Sequence, residues 1–170
     1  MLKKLFAKNK KEEVKNNYIK GILQSPISGK VLSITDVPDD AFASKVLGDG
    51  VAIEPQEGVV YSPVDGEVIQ IFLPSKHAIC LKDEYGLEIL IHIGIDTINM
   101  NGEGFEVLVD IGDKVVCGQK LVNFDLKKIK ENAKSIITPV VITNSYDIDK
   151  IEVLKIGNIH ANEDLIKVYM

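Results

Sequence analysis

Three histidines, His77, His92 and His160, are the only imidazoles in this chain of 170 residues. Imidazole is the one side chain whose ordinary pKa lets it serve as nucleophile, acid or base near neutrality. His92 lies in Leu87-Glu88-Ile89-Leu90-Ile91-His92-Ile93-Gly94-Ile95-Asp96. A period of two sends Ile89, Ile91, Ile93 and Ile95 to one face and Glu88, Leu90 and His92 to the other. The His92 ring is therefore expected to point away from the core, toward solvent or a second layer; a solvated surface histidine without a role fits the same pattern. His77 opens the run His77-Ala78-Ile79-Cys80-Leu81, which the turn Lys82-Asp83-Glu84-Tyr85-Gly86 joins to the His92 run. A hairpin about that turn pairs residues whose numbers add to about 169, which sets His77 opposite His92. Cross-strand neighbours stand about 5 Å apart at Cβ, close enough to share one ligand. His160 has no such partner and reads as structural or exposed.

Two adjacent imidazoles support two chemistries. A catalytic zinc generally needs three protein ligands and a general base, and neither H-x-H nor H-E-x-x-H occurs here. Phosphoryl transfer asks for less: one histidine takes the phosphoryl group as a covalent intermediate while the other hydrogen-bonds its oxygens. Positioning and charge stabilisation supply most of the catalysis in such transfers.

The elements that must hold these side chains are short strands. Ser25-Pro26-Ile27-Ser28-Gly29-Lys30-Val31-Leu32-Ser33-Ile34 recurs 37 residues later as Ser62-Pro63-Val64-Asp65-Gly66-Glu67-Val68-Ile69-Gln70-Ile71. Each copy is a proline-led turn followed by a β-branched run, the start of a strand, so both copies should occupy equivalent places in a sheet. A looser echo relates the segment Ile111 to Val122 to the segment Ile156 to Ile166 with one gap. The rest alternates Val/Ile-rich runs with Gly, Asp and Asn clusters, which predicts an all-β, antiparallel sandwich or barrel built on an internal repeat. Helical signals are confined to Asp125–Ala133, with Asp125 as N-cap, and to one turn in Asp40–Leu47.

Composition narrows the function. The net charge is -5, and all 20 cationic side chains are Lys, so there is neither a basic balance for nucleic-acid binding nor an arginine to grip a base edge. The longest apolar stretch, Ile89–Ile95, falls far short of the roughly 20 residues of a membrane span. Residues 1–20 carry seven Lys and two Glu, leaving an acidic body behind a basic leader. Residues 7–17 lack a core-facing pattern, and 1–17 are expected to be a flexible leader, with one domain over 18–170. The leader does not read as a signal peptide. A cytoplasmic protein is expected, with Cys80 and Cys117 as two thiols within strands.

Taken in order, these segments resemble the glucose-type enzyme IIA of the bacterial phosphoenolpyruvate-dependent sugar phosphotransferase system. The resemblance rests on Ser25-Pro26-Ile27-Ser28-Gly29, Val37-Pro38-Asp39-Asp40-Ala41-Phe42-Ala43, Gly48-Asp49-Gly50-Val51-Ala52-Ile53, Ser62-Pro63-Val64-Asp65-Gly66, His77-Ala78, His92-Ile93-Gly94-Ile95-Asp96-Thr97 and Thr138-Pro139-Val140-Val141. It runs from about residue 20 to the C-terminus. It implies a β-sandwich, and a His92 that accepts a phosphoryl group from the phosphocarrier protein HPr and passes it to a IIB domain of a sugar permease. His77 would stabilise the group, and Ser75, where the family usually has Thr, would orient His77. A partner-docking rim would map to Val37, Phe42, Phe72 and Leu90, the last standing where a Phe is common, with Asp39 and Asp96 as acidic contacts. No cofactor is implied for the transfer itself, but His77 and His92 would be able jointly to hold Zn at a partner interface. Regulatory docking to permeases or metabolic enzymes is implied as well.

Three other readings compete. Gly112-Asp113-Lys114-Val115-Val116-Cys117-Gly118-Gln119-Lys120-Leu121 is similar to a segment of biotinyl and lipoyl carrier modules, but the lysine-bearing hairpin of those modules is missing. A zinc hydrolase of related β-architecture would need a third ligand. A purely regulatory binding module would dock without turning phosphate over. In the leader, Leu2, Leu5 and Phe6 share one helical face with Lys on the other, a pattern that predicts weak adsorption of residues 1–8 to an anionic membrane surface. The start at Met1 favours a free-standing protein over a piece of a permease.

Overall fold

The computed structural model describes residues 19–170; the leader expected over 1–17 and its membrane-binding pattern lie outside the described residues. In chain order the strands are β1 (Ile22–Gln24), β2 (Gly29–Ser33), β3 (Asp49–Pro55), β4 (Val59–Tyr61), β5 (Gly66–Ile71), β6 (Ala78–Asp83) and β7 (Glu88–His92). They continue as β8 (Phe105–Val107), β9 (Lys114–Val115), β10 (Lys120–Phe124), β11 (Thr138–Ile142), β12 (Lys150–Val153), β13 (Gly157–Ile159) and β14 (Asp164–Tyr169). Eight of them form one antiparallel sheet in the order β13-β2-β3-β11-β7-β6-β5-β9. Two three-stranded sheets, β1-β14-β12 and β4-β10-β8, complete an antiparallel β-sandwich, the fold class expected from the alternating pattern.

The repeat is the plan of the molecule. Ser25 and Ser62 are both fully buried, and each donates its hydroxyl proton to the carbonyl two residues on, Ile27 O at 2.8 Å and Val64 O at 2.7 Å. The two copies clasp each other through Gln24 N–H to Pro63 O and Tyr61 N–H to Pro26 O. The looser echo is as regular. Ile159 pairs with Gly29 at one end of the large sheet as Val115 pairs with Gly66 at the other. The left-handed residues Gly112 and Gly118 recur as Gly157 and Asn162.

The main core lies between the sheets, with Leu23, Ile53, Leu81, Ile89, Ile91, Leu121 and Val140 all excluded from solvent. Burying side chains of this size contributes about 1.5–3 kcal/mol each. A second cluster covers the opposite face of the large sheet: Ala52, Ala78, Leu90 and Val141 pack under Ile34, Val37 and Phe42. The covering segment runs from a 3-10 turn, Ile34–Asp36, into α1 (Asp40–Ala43), which Asp39 caps by accepting Ala41 N–H at 3.0 Å. Of the helical segments foreseen, α1 stops at Ala43 and α2 (Leu126–Asn132) follows its cap Asp125, which accepts Lys128 N–H. Among the described residues three 3-10 turns add to these.

Three local expectations change. Ile95 joins the second cluster rather than the face of Ile89, Ile91 and Ile93, because β7 ends at His92 and Gly94, at φ +71°, breaks the alternation. Cys117 lies in the turn between β9 and β10, not in a strand, whereas Cys80 is in β6. Both cysteines are free. The hairpin register is one residue from the expected one: Ala78, not His77, pairs with His92.

Candidate functional site

The β6–β7 hairpin and the loop before it assemble the histidine pair. His92 ends β7 on the face away from the main core and is half-buried. His77 sits just before β6, where its carbonyl accepts Ile93 N–H at 2.7 Å. In a regular strand its ring would turn from His92. Here Lys76 adopts a left-handed φ of 57°, and Ser75 Oγ stands 2.6 Å from His77 Nδ1. The two rings consequently meet edge to face, with centroids 4.7 Å apart. The pairing foreseen from the sequence is present, through a loop conformation rather than through the cross-strand register.

Each ring is tied by Nδ1. His92 Nδ1 lies 2.8 Å from Gly94 O, an atom that only accepts, so Nδ1 carries the proton and Nε2 keeps its lone pair. Ser75 Oγ also reaches Phe72 O, but at 3.2 Å, and that carbonyl already accepts Lys76 N–H. The shorter contact is to His77; the tautomer of His77 follows the direction of the serine proton, Nδ1–H where Ser75 donates to Phe72 O and Nε2–H where it donates to His77 Nδ1.

Both imidazoles are biased toward the neutral form. Burial, and then the neighbouring His92, push the pKa of His77 down to about 4. Burial also lowers that of His92, against the opposing pull of the Gly94 carbonyl, Asp39 and Asp96. A neutral ring retains the lone pair that a nucleophile needs.

The pair opens on a shallow cavity of about 160 Å³ lined by Asp39, Phe42, His77, His92, Asp96, Thr97 and Ile98. That is small for an organic substrate, since ligand pockets run to about 300–1,000 Å³, but sufficient for a phosphoryl group. A larger recess of about 440 Å³, between Asp65, Glu67, Lys82 and Lys114, contains no imidazole.

The residues foreseen as a docking rim divide. Phe72 is half-buried with its ring edge-on to His77, Asp39 is half-buried and Asp96 is exposed. Val37, Phe42 and Leu90 are only 4%, 3% and 8% exposed, because the 34–43 segment closes over this face of the sheet. They belong to the packed second cluster rather than to an exposed rim; of the three Phe42 alone lines the cavity, its ring 5.0 Å from that of His92. Sequence reasoning missed Thr97 and Ile98 as lining residues, although Thr97 closes the H-x-G-I-D-T segment; Ile98, 57% exposed beside the histidines, has no signal beyond its neighbour. His160 is exposed, as one of its two readings held. Among the described residues no group of three or more His, Cys, Asp or Glu is arranged to hold a metal ion, and the two imidazoles offer half of a tetrahedral set.

Residues 21–148 match the family model described as phosphoenolpyruvate-dependent sugar phosphotransferase system, EIIA 1. The chain is 49% identical over 161 residues to a PTS system glucose-specific EIIA component of Staphylococcus epidermidis, covering 95% of this chain and 92% of that protein. It is 51% identical over 145 residues to the component of the same name from Bacillus cereus, covering 85% and 84%. Among solved structures, the glucose permease IIA from Mycoplasma capricolum superposes with a TM-score of 0.81 at 34% identity, over 85% of this chain and 93% of that one. Two neutral imidazoles converging on a cavity of phosphoryl size, in a duplicated β-sandwich matched along most of its length, place the chain in the enzyme IIA family of the phosphoenolpyruvate-dependent sugar phosphotransferase system, whose members carry phosphoryl groups as phosphohistidine.

Proposed function

We propose that His92 Nε2 is the phosphoryl acceptor, that His77 stabilises the transferred group and that Ser75 orients His77. The observation that carries this assignment is the anchoring of His92 Nδ1 on Gly94 O, which leaves a lone pair at His92 Nε2 beside the His77 ring; in this reading Ser75 turns its proton to His77 Nδ1, so that His77 Nε2 carries one. In the forward step the P–N bond to the donor histidine breaks as the bond to His92 Nε2 forms. The donor nitrogen keeps the electron pair. The proton of His92 stays on Nδ1 against Gly94 O, and His77 donates to a phosphoryl oxygen as charge moves. Transfer to the next carrier is the same step in reverse.

Phospho-HPr is the donor in this reading and a IIB domain of a sugar permease the acceptor. Both meet the chain on the apolar surface around the cavity, formed by Phe72, Ile98 and the adjacent Leu73 over the packed cluster of Val37, Phe42 and Leu90, with Asp39 and Asp96 at its edge. The transfer uses no cofactor. His77 and His92 supply two donors for a Zn ion whose remaining ligands would come from a regulatory partner. The protein works in the cytoplasm, and residues 1–8 give it weak adsorption to anionic membrane. No helix among the described residues is long and apolar enough to cross a membrane.

The deciding experiment combines the protein with phosphoenolpyruvate, enzyme I and HPr. A mass gain of one phosphoryl group, labile in acid and stable in base, is expected. It should vanish in His92→Gln and persist in His77→Gln with slower onward transfer; labelled His92→Gln would overturn the assignment. Deletion of residues 1–17 should leave labelling intact while ending co-sedimentation with anionic vesicles.

A further inference from the structure

The carbonyl that anchors His92 belongs to the Gly94–Ile95 peptide, whose other polar group is Ile95 N–H. Gly94 O lies 2.8 Å from His92 Nδ1, and Ile95 N–H donates to Ser135 O at 2.9 Å in an isolated antiparallel bridge. The peptides on either side are held by other groups. Gly94 N–H, in the Ile93–Gly94 peptide, donates to Thr138 Oγ1, and Ile95 O, in the Ile95–Asp96 peptide, accepts Lys134 N–H. Among the described residues, Ser135 O is thus the hydrogen-bond partner that fixes the Gly94–Ile95 plane from outside the histidine segment. The two segments also touch closely: Gly94 has a left-handed φ of 71°, and a Cβ there would stand 2.9 Å from Ser135 O.

Ser135 lies in the link between α2, which ends at Asn132, and β11, which begins at Thr138, so neither a helix nor a strand ladder directs its carbonyl. Its own side chain does. Ser135 Oγ accepts Ile137 N–H at 3.0 Å. The ring closed by that bond runs through the Ser135–Ile136 peptide and restricts the rotation of the plane that carries Ser135 O. The hydroxyl is therefore connected to the imidazole through two successive peptide planes, each joined to the next by one hydrogen bond.

We propose that Ser135 is a positioning residue for phosphoryl transfer: its hydroxyl closes the turn that aims Ser135 O at Ile95 N–H, and this keeps the Gly94 carbonyl on His92 Nδ1 and the lone pair on Nε2. The inference rests on the reading of His92 as phosphoryl acceptor. Without the hydroxyl the Ser135–Ile136 plane swings, Ile95 N–H loses its alignment, and the Gly94–Ile95 plane tilts its carbonyl off Nδ1. The tautomer with its proton on Nε2 then gains population, and a ring protonated there has no electron pair to offer the phosphorus.

The test uses the full chain with 15N-labelled histidine, as wild type, Ser135→Ala and Ser135→Thr. The nitrogen shifts of neutral His92 report its tautomer without any phosphorylation, and the rate of HPr-dependent labelling is measured in parallel. Ser135→Ala should raise the Nε2–H fraction of His92 and slow labelling roughly two- to tenfold, the range that one hydrogen bond spans. Ser135→Thr keeps a hydroxyl for Ile137 N–H and should restore both. Should Ser135→Ala not fold, Ser135→Cys, whose sulfur is only a weak acceptor, is read in the same way. A variant without the hydroxyl that melts lower yet keeps the wild-type tautomer and rate overturns the proposal and leaves Ser135 a structural residue. Slower labelling with an unchanged tautomer overturns it too, because the effect would then bypass the ring. Failure of wild-type labelling at His92 would instead overturn the functional reading, and the tautomer measurement would still decide whether Ser135 positions the ring.

Discussion

The two halves of the large sheet are built alike and used differently. Register alone identifies their equivalent positions. Val31, Ile53 and Thr138 are aligned across β2, β3 and β11 as Val68, Leu81 and Ile89 are across β5, β6 and β7. Three residues further along, Val141 pairs with Gly50 in one half, and His92 pairs with Ala78 in the other. The position that holds the proposed nucleophile in the second half thus holds a fully buried valine in the first. Two departures accompany the change. β5 has a register shift between Val68 and Gln70 that β2 lacks, as a bulge re-aims the chain beyond it. β2 leads into the 34–43 cap, whereas β5 leads into the loop carrying Ser75 and His77. Duplication supplies the rigid frame, and chemistry sits where the duplicate is broken.

That contrast yields four measurements, from the largest effect to the smallest. His92→Gln should reduce phosphoryl acceptance by at least ~10³-fold, since an amide nitrogen is not a nucleophile and His77 acts in this reading as the stabilising group. Val141→Ala at the equivalent position should leave labelling intact and cost roughly 2 kcal/mol in denaturant unfolding, the cost of a small buried cavity. A Val141→Ala chain that folds normally but no longer accepts phosphate would show the halves to be functionally coupled.

Next, Phe42→Ala should lower stability by about 3–5 kcal/mol, because the ring belongs to the second cluster. Phe72→Asp, at a half-buried position, should shift the melting temperature little and weaken HPr-dependent transfer. Equal melting shifts in the two would place Phe72 in the core as well.

A third measurement is acid sensitivity. The folded pKa of His77 lies below its unfolded value of 6.5, at about 4, so between these limits the unfolded chain binds more protons. Stability should accordingly fall as pH drops through that window. His92 acts in the same direction. His77→Gln should flatten the slope, seen as urea midpoints that change less between neutral and acid pH. An unchanged slope would mean that His77 is protonated in the native fold. Finally, Ser25→Ala and Ser62→Ala should each cost about 1 kcal/mol, and nearly the same amount, since each removes one buried hydroxyl donor from an equivalent turn. Unequal losses would show that the frame is less symmetric than its hydrogen bonds.

Much of this was legible in the residue order. The S-P-x-x-G repeat, the β-branched runs and the turn residues act over a few positions each, so local propensity alone specified the strands, the equivalence of the two halves and the outward direction of His92. The spacing of His77 and His92 around one hairpin turn likewise placed the two imidazoles together. What the tertiary structure decided depends on contacts between distant segments. The register that sets Ala78 opposite His92, the left-handed φ at Lys76 that swings His77 back, and the exit of Ile95 into the second cluster all follow from how neighbouring strands and Gly94 close the ladder. The burial of Val37, Phe42 and Leu90 requires the 34–43 cap to fold over a strand some fifty residues away in sequence, which no period reveals. Thr138 opens the Thr138-Pro139-Val140-Val141 run that the resemblance includes, but packing alone brings its hydroxyl against Gly94 N–H.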